Sequence, residues 1–406
     1  MNIANNLFYV LLFLGFFMPT NNSFYIPLPG FFLKVNEIAF LLLPLINLFC
    51  TSVYQKFRIE SKLYRYILFY LLLVFITEFF LKPVIFEQSI SDSFKAFRLG
   101  IPLYSSLLLV FVGIKADVKI IWNVLLWAIG FSVLLSVISM FVDLPIYYNL
   151  EDEDILEMSN GRIVNSNASF GIIGLCLLFS SRDAWYNRGV LVRYVSILSI
   201  ISLLLTFNRT YLALFVLLFV YLSYITFSRK FFLKTVFIPI LFLGLTFILY
   251  TNIDTIQRQI DRRILSIIFQ ETSLVESTIE SNRDEIYIGI LEKIEKGYWI
   301  IGLPYDVPIF VRSARFGKES VLLSTTDTSF ANILLRFGVV SLLLYLLILA
   351  RFVKIDRAKA FSIVFIIYLL ASLNVDSLMA QNSILFLVLY FYITNIQIYE
   401  KNSIYS

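Results

Sequence analysis

Residues Ser329 to Ala350 read SFANILLRFGVVSLLLYLLILA, and the next residue is Arg351. Apart from Arg336 nothing in this run is charged, and its length matches the ~20 apolar residues a helix needs to cross ~30 Å of hydrocarbon. A soluble helix of this composition would have no polar face to turn to water, whereas lipid accepts Leu, Ile and Phe on every side. The run therefore predicts a transmembrane helix, entered through Thr325, Thr326, Asp327, Thr328 and Ser329 and closed by a basic end.

The rest of the chain carries the same signature. It is 59% hydrophobic and 15% charged, against roughly 25% charged in an ordinary soluble domain, and its mean hydropathy is +0.83. Further apolar runs lie near residues 6–18, 31–54, 66–81, 97–113, 120–142, 165–181, 194–207, 210–228, 235–250, 360–376 and 383–398. With 329–350 they predict an all-α polytopic membrane protein of about 12 transmembrane helices. The first run lacks the basic flank of a signal peptide, and Met18, Pro19, Thr20 and Asn21 make a poor cleavage site, so it too is read as a helix.

Lys and Arg near helix ends stay on the cytoplasmic side, which orients the chain. The basic clusters fall in alternate connections: Lys56, Arg58, Lys62 and Arg65; Lys115 and Lys119; Arg182, Arg188 and Arg193; Arg229, Lys230 and Lys234; Arg351, Lys354, Arg357 and Lys359. The connection Asp143 to Val164 is acidic instead, with Glu151, Asp152, Glu153, Asp154 and Glu157 against Arg162. It belongs outside, and both termini are then cytoplasmic. Residues 1–406 read as a single membrane domain, with residues 251–328 inserted between the ninth and tenth spans as one large periplasmic loop.

In that loop Ile256, Ile260, Ile264, Ile267 and Ile268 recur at helical spacing beside Arg258, Asp261, Arg262 and Arg263, the pattern of an amphipathic helix on the membrane face. A second helix is predicted from about Ser281 to Lys296, stopped by Gly297, with Ile286, Ile290, Leu291 and Ile294 on its apolar side. From Gly302, Leu303, Pro304, Tyr305 and Asp306 onward the loop reads as irregular.

With this orientation the sixth, eighth and tenth spans begin at the outer face, where helix N-termini favour anions. Each begins with polar residues. The sixth follows Gly161, Arg162, Asn165, Ser166, Asn167, Ser169 and Gly171, which could seat a phosphate or simply cap the helix and hold headgroups. Asn208 and Arg209 sit in a hairpin too short for a solvated loop, placing a charge next to the apolar region. Arg336 lies nine residues beyond Asp327, roughly 13 to 14 Å deeper along a helix, where it needs an anionic partner. Asp327 could equally be an N-cap. Glu78 and Asp376, in or at the ends of apolar runs, are charge partners at most, and Tyr298 and Trp299 fit loop packing better than sugar stacking.

Several classes are excluded. Lys plus Arg is 33 and Asp plus Glu is 28, a net charge of +5 that reflects cytoplasmic loops and not a nucleic-acid partner. The chain has no histidine, which removes imidazole metal sites and Ser-His triads. Cys50 and Cys176 lie in apolar runs and form no disulfide framework, and no nucleotide-binding glycine motif is present.

These segments, in this order, resemble the O-antigen polymerase and ligase superfamily of bacterial envelope polysaccharide assembly. The resemblance runs from about Gly161 to Gly338: Arg162 with Asn167 and Gly171, the Asn208-Arg209 hairpin, Arg283 opening a loop helix that ends before Gly302, and Asp327 eleven residues ahead of Gly338. Ligases of this superfamily usually carry a His-Asn pair where this chain has Asp327 and Thr328, so the resemblance is nearer to polymerases.

It implies a membrane glycosyltransferase of the bacterial cytoplasmic (inner) membrane that joins oligosaccharide repeats carried on undecaprenyl diphosphate, as in lipopolysaccharide biosynthesis. No cofactor or metal is implied. The partners implied are the lipid-linked glycans, membrane lipids, a chain-length regulator and a flippase. Carried onto this chain, Arg162, Arg209, Arg336 and Asn167 would hold diphosphate, while Asp327, Arg209 and Arg283 would be catalytic. The rival readings are a ligase moving finished polymer to a lipid A core, and a transporter of the lipid-linked repeat.

The orientation is testable by fusion. A reporter active only outside the cytoplasm should be active after Ser277 and silent after Lys359; the reverse pattern would invert the topology.

Overall fold

The structure, a computed structural model, describes residues 3–18, 25–28, 31–51, 61–138, 189–205, 251, 257, 283–312, 321–323, 328–355, 365–366, 368–370, 372, 384–393 and 395. The chain divides into two compact units, one of Met1–Ala128 with Asn282–Ser406 and the other of Ile129–Ser281. The described residues are mostly helical.

In the first unit α1 (Ile3–Phe17) packs along α2 (Val35–Phe49). Gly15 lets them approach, because a Cβ there would run into the Phe40 ring, and Phe16 meets that ring edge-on at 5.9 Å. The two helices are joined through a hairpin of β1 (Tyr25–Leu28) and β2 (Phe31–Lys34), with Tyr25 opposite Lys34 and Leu28 opposite Phe31.

Next, α3 (Ser61–Ile76) runs through a π-helical turn, Thr77–Leu81, into α4 (Lys82–Phe86). After it, α5 (Ile90–Arg98) and α6 (Ile101–Val112) meet at 72°. Ser89 caps α5 by accepting the Asp92 N–H, and Pro102 sits in the first turn of α6, where its missing N–H costs nothing.

Two further helices are α7 (Val118–Ile138) and, in the second unit, α8 (Val190–Leu205), against whose Val195 Gly130 packs closely. The first unit resumes with α9 (Arg283–Glu295), a hairpin of β3 (Phe310–Arg312) and β4 (Val321–Leu323), α10 (Ser329–Ile355) and α11 (Ile384–Ile393).

Among the described residues three helical stretches are long and apolar enough to cross a membrane, Ser61–Phe86, Val118–Leu135 and Ser329–Ile355, and the bent pair α5–α6 makes a fourth. The predicted runs 165–181, 210–228 and 235–250 lie outside the described residues, as does nearly all of the amphipathic stretch 256–268.

Several sequence expectations need correction. The run 97–113 is not one straight helix but crosses the α5–α6 bend, since Gly100 and Pro102 together favour a turn there. Residues 31–34 of the run 31–54 are strand, and the loop after Gly302 contains the β3–β4 hairpin, so the all-α expectation is amended by two small antiparallel pairs.

Hydrogen bonds, an ion pair and a ring contact group the connections of the first unit at its two ends. At one end Asn5 bonds Thr51, Asn47 bonds Gly113 and Lys115, the Asp117 N–H reaches the Tyr9 hydroxyl, and Arg351 stacks on Tyr66. Towards the other, Gln88 bonds Tyr305, Arg98 pairs with Glu37 at 3.3 Å, and the Ser329 N–H donates to the Ser372 carbonyl.

Buried Asn47 carries much of the first junction, donating to the Gly113 carbonyl at 2.7 Å and accepting the Lys115 N–H at 3.0 Å. Asn47→Ala should cost about 1–3 kcal/mol by leaving both backbone groups unpaired. The readout is a lowered thermal midpoint in detergent; an unchanged midpoint would mean water replaces the amide.

Candidate functional site: a broken helix and the loop docked on it

Helix α10 is interrupted. Gly338 has φ +83° and ψ 171°, a conformation that side chains with a Cβ rarely adopt. A break releases backbone groups that the helical ladder normally satisfies, and burial without partners would cost about 1–3 kcal/mol each. Three of the groups beside the break have substitutes. The Val339 N–H donates to the Trp299 carbonyl at 2.8 Å, the Leu335 carbonyl accepts the Leu303 N–H at 2.6 Å, and the Arg336 carbonyl accepts the Lys82 ammonium at 2.6 Å.

Two of these substitutes come from the loop, which glycines bring within reach. Gly302, at φ +100°, lies directly on the Arg336 carbonyl, and Gly338 lies on the Ile300 carbonyl; a Cβ on either would overlap the facing backbone.

The loop arrives from α9. Its stop is built on Gly297 at φ +82°: the Gly297 N–H reaches the Ile294 carbonyl at 2.9 Å, and the Tyr298 N–H reaches back to Lys293 at 3.2 Å. That pair of bonds satisfies carbonyls at the helix end and turns the chain sharply. The apolar stripe is Ile286, Ile290 and Ile294, packed with Leu303, Ile309 and Leu335 of α10. Leu291, expected on the same side, is 59% exposed, because five residues from Ile286 is about 140° around a helix and leaves the stripe. Tyr298 also meets Phe86 at 6.1 Å, tying the loop to α4.

Under the docked loop lies a buried polar cluster. Glu78 and Lys82 are both 0% exposed and form an ion pair four residues apart, across the end of the π turn. Gln88 donates to Glu78 at 3.5 Å and to the Ser93 hydroxyl at 2.9 Å, while Ser93 donates to the Glu78 carbonyl at 2.7 Å. The Gln88 side-chain oxygen accepts the Tyr305 N–H at 2.9 Å, so the cluster holds the loop directly.

Arg336 is 1% exposed, with Nη1 donating to the Pro304 carbonyl at 2.8 Å and Nη2 to Val307 at 3.4 Å. The Tyr305 ring lies between Arg336 and Lys95, 6.0 and 5.9 Å from their charged groups, within cation–π range. Lys82 similarly sits 5.7 Å from the Phe337 ring.

Farther out, burial pushes the Lys34 ammonium down from its ordinary range, opposed by nearby Glu37. On exposed α9 the hydrogen bond from Lys296 holds the Glu292 carboxyl below its usual value.

Of the residues predicted from sequence, Arg336 is at the centre of this arrangement and Arg283 is the first residue of α9, the helix docked against it. Arg162, Asn167, Arg209 and Asp327 lie outside the described residues, as do Asp376 and the Arg283 side chain. The buried Glu78 carboxylate is near enough for its charge to act on Arg336, though it pairs with Lys82. The expected grip on diphosphate meets a guanidinium already turned towards loop carbonyls.

Sequence reasoning missed Lys82, Gln88, Ser93 and Tyr305. The one legible signal was Glu78 and Lys82 at helical i, i+4 spacing at the end of an apolar run. No family model matches the chain, and no curated protein matches it closely enough to count as a relative.

The guanidinium contacts give a direct test. Arg336→Met removes two charge-assisted tethers worth about 1.5–3 kcal/mol each, so limited proteolysis between residues 297 and 309 should speed up by roughly tenfold or more. Arg336→Lys should fall between; cleavage of Arg336→Met at the wild-type rate would remove the tethering role.

Proposed function

We propose that this chain is a polysaccharide polymerase that joins oligosaccharide repeats carried on undecaprenyl diphosphate at the outer face of the bacterial cytoplasmic membrane. The order of motifs from Arg162 to Gly338 motivates this reading. The observation that carries it is the attachment of α9, opened by Arg283, to the break in α10. A carrier lipid keeps its diphosphate at the membrane surface, so an enzyme acting on it needs cations fixed at that level. A loop helix welded to a transmembrane helix supplies such a fixed platform.

In the proposed reaction a hydroxyl of the incoming repeat attacks the anomeric carbon of the growing chain. The bond from that carbon to the diphosphate oxygen breaks, and undecaprenyl diphosphate leaves with the bonding electron pair. The hydroxyl proton passes to a base, for which Asp327 is the proposed group, ionised near neutral pH with a reference pKa of ~3.9. Arg162, Arg209 and Arg283, with Asn167, are assigned to the diphosphate, since guanidinium stays charged and grips phosphate oxygens two at a time. Arg336 is placed differently, as a positioning residue, because its contacts with Pro304 and Val307 hold the loop that follows α9.

A transporter of the same lipid-linked repeat is the second reading, favoured by one observation: discontinuous helices with buried charges are what transporters use. In this chain the discontinuity is filled by loop backbone from Ile300 to Leu303. A ligase remains the nearest enzymatic rival.

Purified protein in liposomes, given a defined lipid-linked repeat, should yield a ladder of longer glycans. Movement of the repeat across the bilayer without a ladder would establish the transporter, and transfer only to added core lipid the ligase. Arg209→Lys and Asp327→Asn should each lower turnover by about 10²-fold or more if the clamp and base assignments hold.

A further inference from the structure

Lys82 has no part in the chemistry proposed above, yet it is buried at the point where the loop, the π turn and the broken helix meet. Its ammonium bonds both the Glu78 carboxylate and the Arg336 carbonyl, the group released by the break at Gly338. We propose that Lys82 is a positioning residue that holds α10 in its broken form and so keeps the loop 297–309 docked.

Two sets of groups compete for the same partners. In the docked form the Leu335 carbonyl takes the Leu303 N–H, the Val339 N–H takes the Trp299 carbonyl, and the Arg336 carbonyl takes Lys82. In an unbroken helix the Leu335 carbonyl takes the Val339 N–H and the Arg336 carbonyl takes the Val340 N–H, by the i to i−4 rule. The Val339 N–H is a single donor and can serve only one of these sets. Closing the ladder therefore removes the Trp299 tether outright and makes the Leu303 N–H share the Leu335 carbonyl with Val339, which loosens the loop.

Backbone bonds exchange for backbone bonds, so they do not choose between the forms by themselves. The deciding contributions are the ones without a counterpart in the straight helix. Lys82 is one, because it ties the Arg336 carbonyl beside the break to the end of the π turn, and nothing in the helical ladder supplies that tie. Glycine at 338 is the second, since only the broken form needs its positive φ. Glu78 orients the ammonium, and Gln88, bonded to both Glu78 and the Tyr305 N–H, couples the ion pair to the loop a second time. A π turn at this place fits the assignment, as such turns concentrate at functional sites.

The bearing on catalysis rests on the polymerase reading, whereas the loop exchange does not. The test is hydrogen exchange resolved to single amides, on full-length protein in nanodiscs without substrate, comparing wild type with Lys82→Met, Lys82→Arg and Gly338→Ala. In Lys82→Met the Leu303 amide should lose protection by roughly tenfold or more, about the worth of one hydrogen bond, while Val339 stays protected within the restored ladder. Gly338→Ala should show the same split, and Lys82→Arg, which keeps a cationic donor, should restore wild-type exchange.

Protection at Leu303 unchanged in Lys82→Met would overturn the proposal, whatever Gly338→Ala shows. So would joint loss at Leu303 and Val339, which would mean local unfolding instead of an exchange between two forms. Failure of the glycan ladder with the split intact would remove the polymerase reading and leave the latch.

Discussion

A helix broken where it is buried must find new partners for the backbone groups it releases, because each one left unpaired costs about 1–3 kcal/mol. In this chain that requirement organises everything around Gly338. The Trp299 carbonyl, the Leu303 N–H and the Lys82 ammonium answer it, and they bring the loop and the start of α4 to one place. Counted from the break, the remainder of α10 from Val339 to Ile355 measures roughly 26 Å at ~1.5 Å per residue, not far short of the hydrocarbon thickness by itself. The part before the break can therefore serve as a stem for the loop, with Arg336 on it.

The energetics favour a rigid attachment. Leu335 packs with Leu303, Ile309 and the α9 stripe, and the buried Glu78–Lys82 pair is satisfied by Gln88 and by the Arg336 carbonyl. A buried ion pair adds little net stability, yet removing one member typically costs about 3–5 kcal/mol because the other is left uncompensated. Such a pair suits specification of one arrangement better than general stabilisation. That is the role a loop needs if it is to present an arginine-bearing helix at a fixed height over a lipid-linked substrate.

Local signals were legible in the sequence and long-range ones were not. The span at 329–350, the stop of α9 at Gly297 and the stripe of Ile286, Ile290 and Ile294 follow from composition, turn chemistry and helical period, and the structure has them. Leu291 was misplaced because four apolar residues were assigned to a stripe that admits three. The break at Gly338 was invisible: a glycine in an apolar run reads as helix until the Ile300 carbonyl on the other side is known. Lys82 was missed for the same reason, since its acceptor lies 254 positions away. Of the arginines assigned to diphosphate from sequence, only Arg336 is described with its side chain, and its guanidinium meets the Pro304 and Val307 carbonyls.

The central claim is that the loop after α9 is seated against the end of α4. Phe86 and Tyr298 meet across that junction with ring centroids 6.1 Å apart. The most direct measurement is chemical cross-linking of the Phe86→Cys, Tyr298→Cys double variant in native membranes with a short thiol-specific reagent. The account predicts efficient bridging within one chain, seen as a protease-resistant link between the two segments. Two thiols that each react with a monofunctional reagent yet never bridge would contradict it.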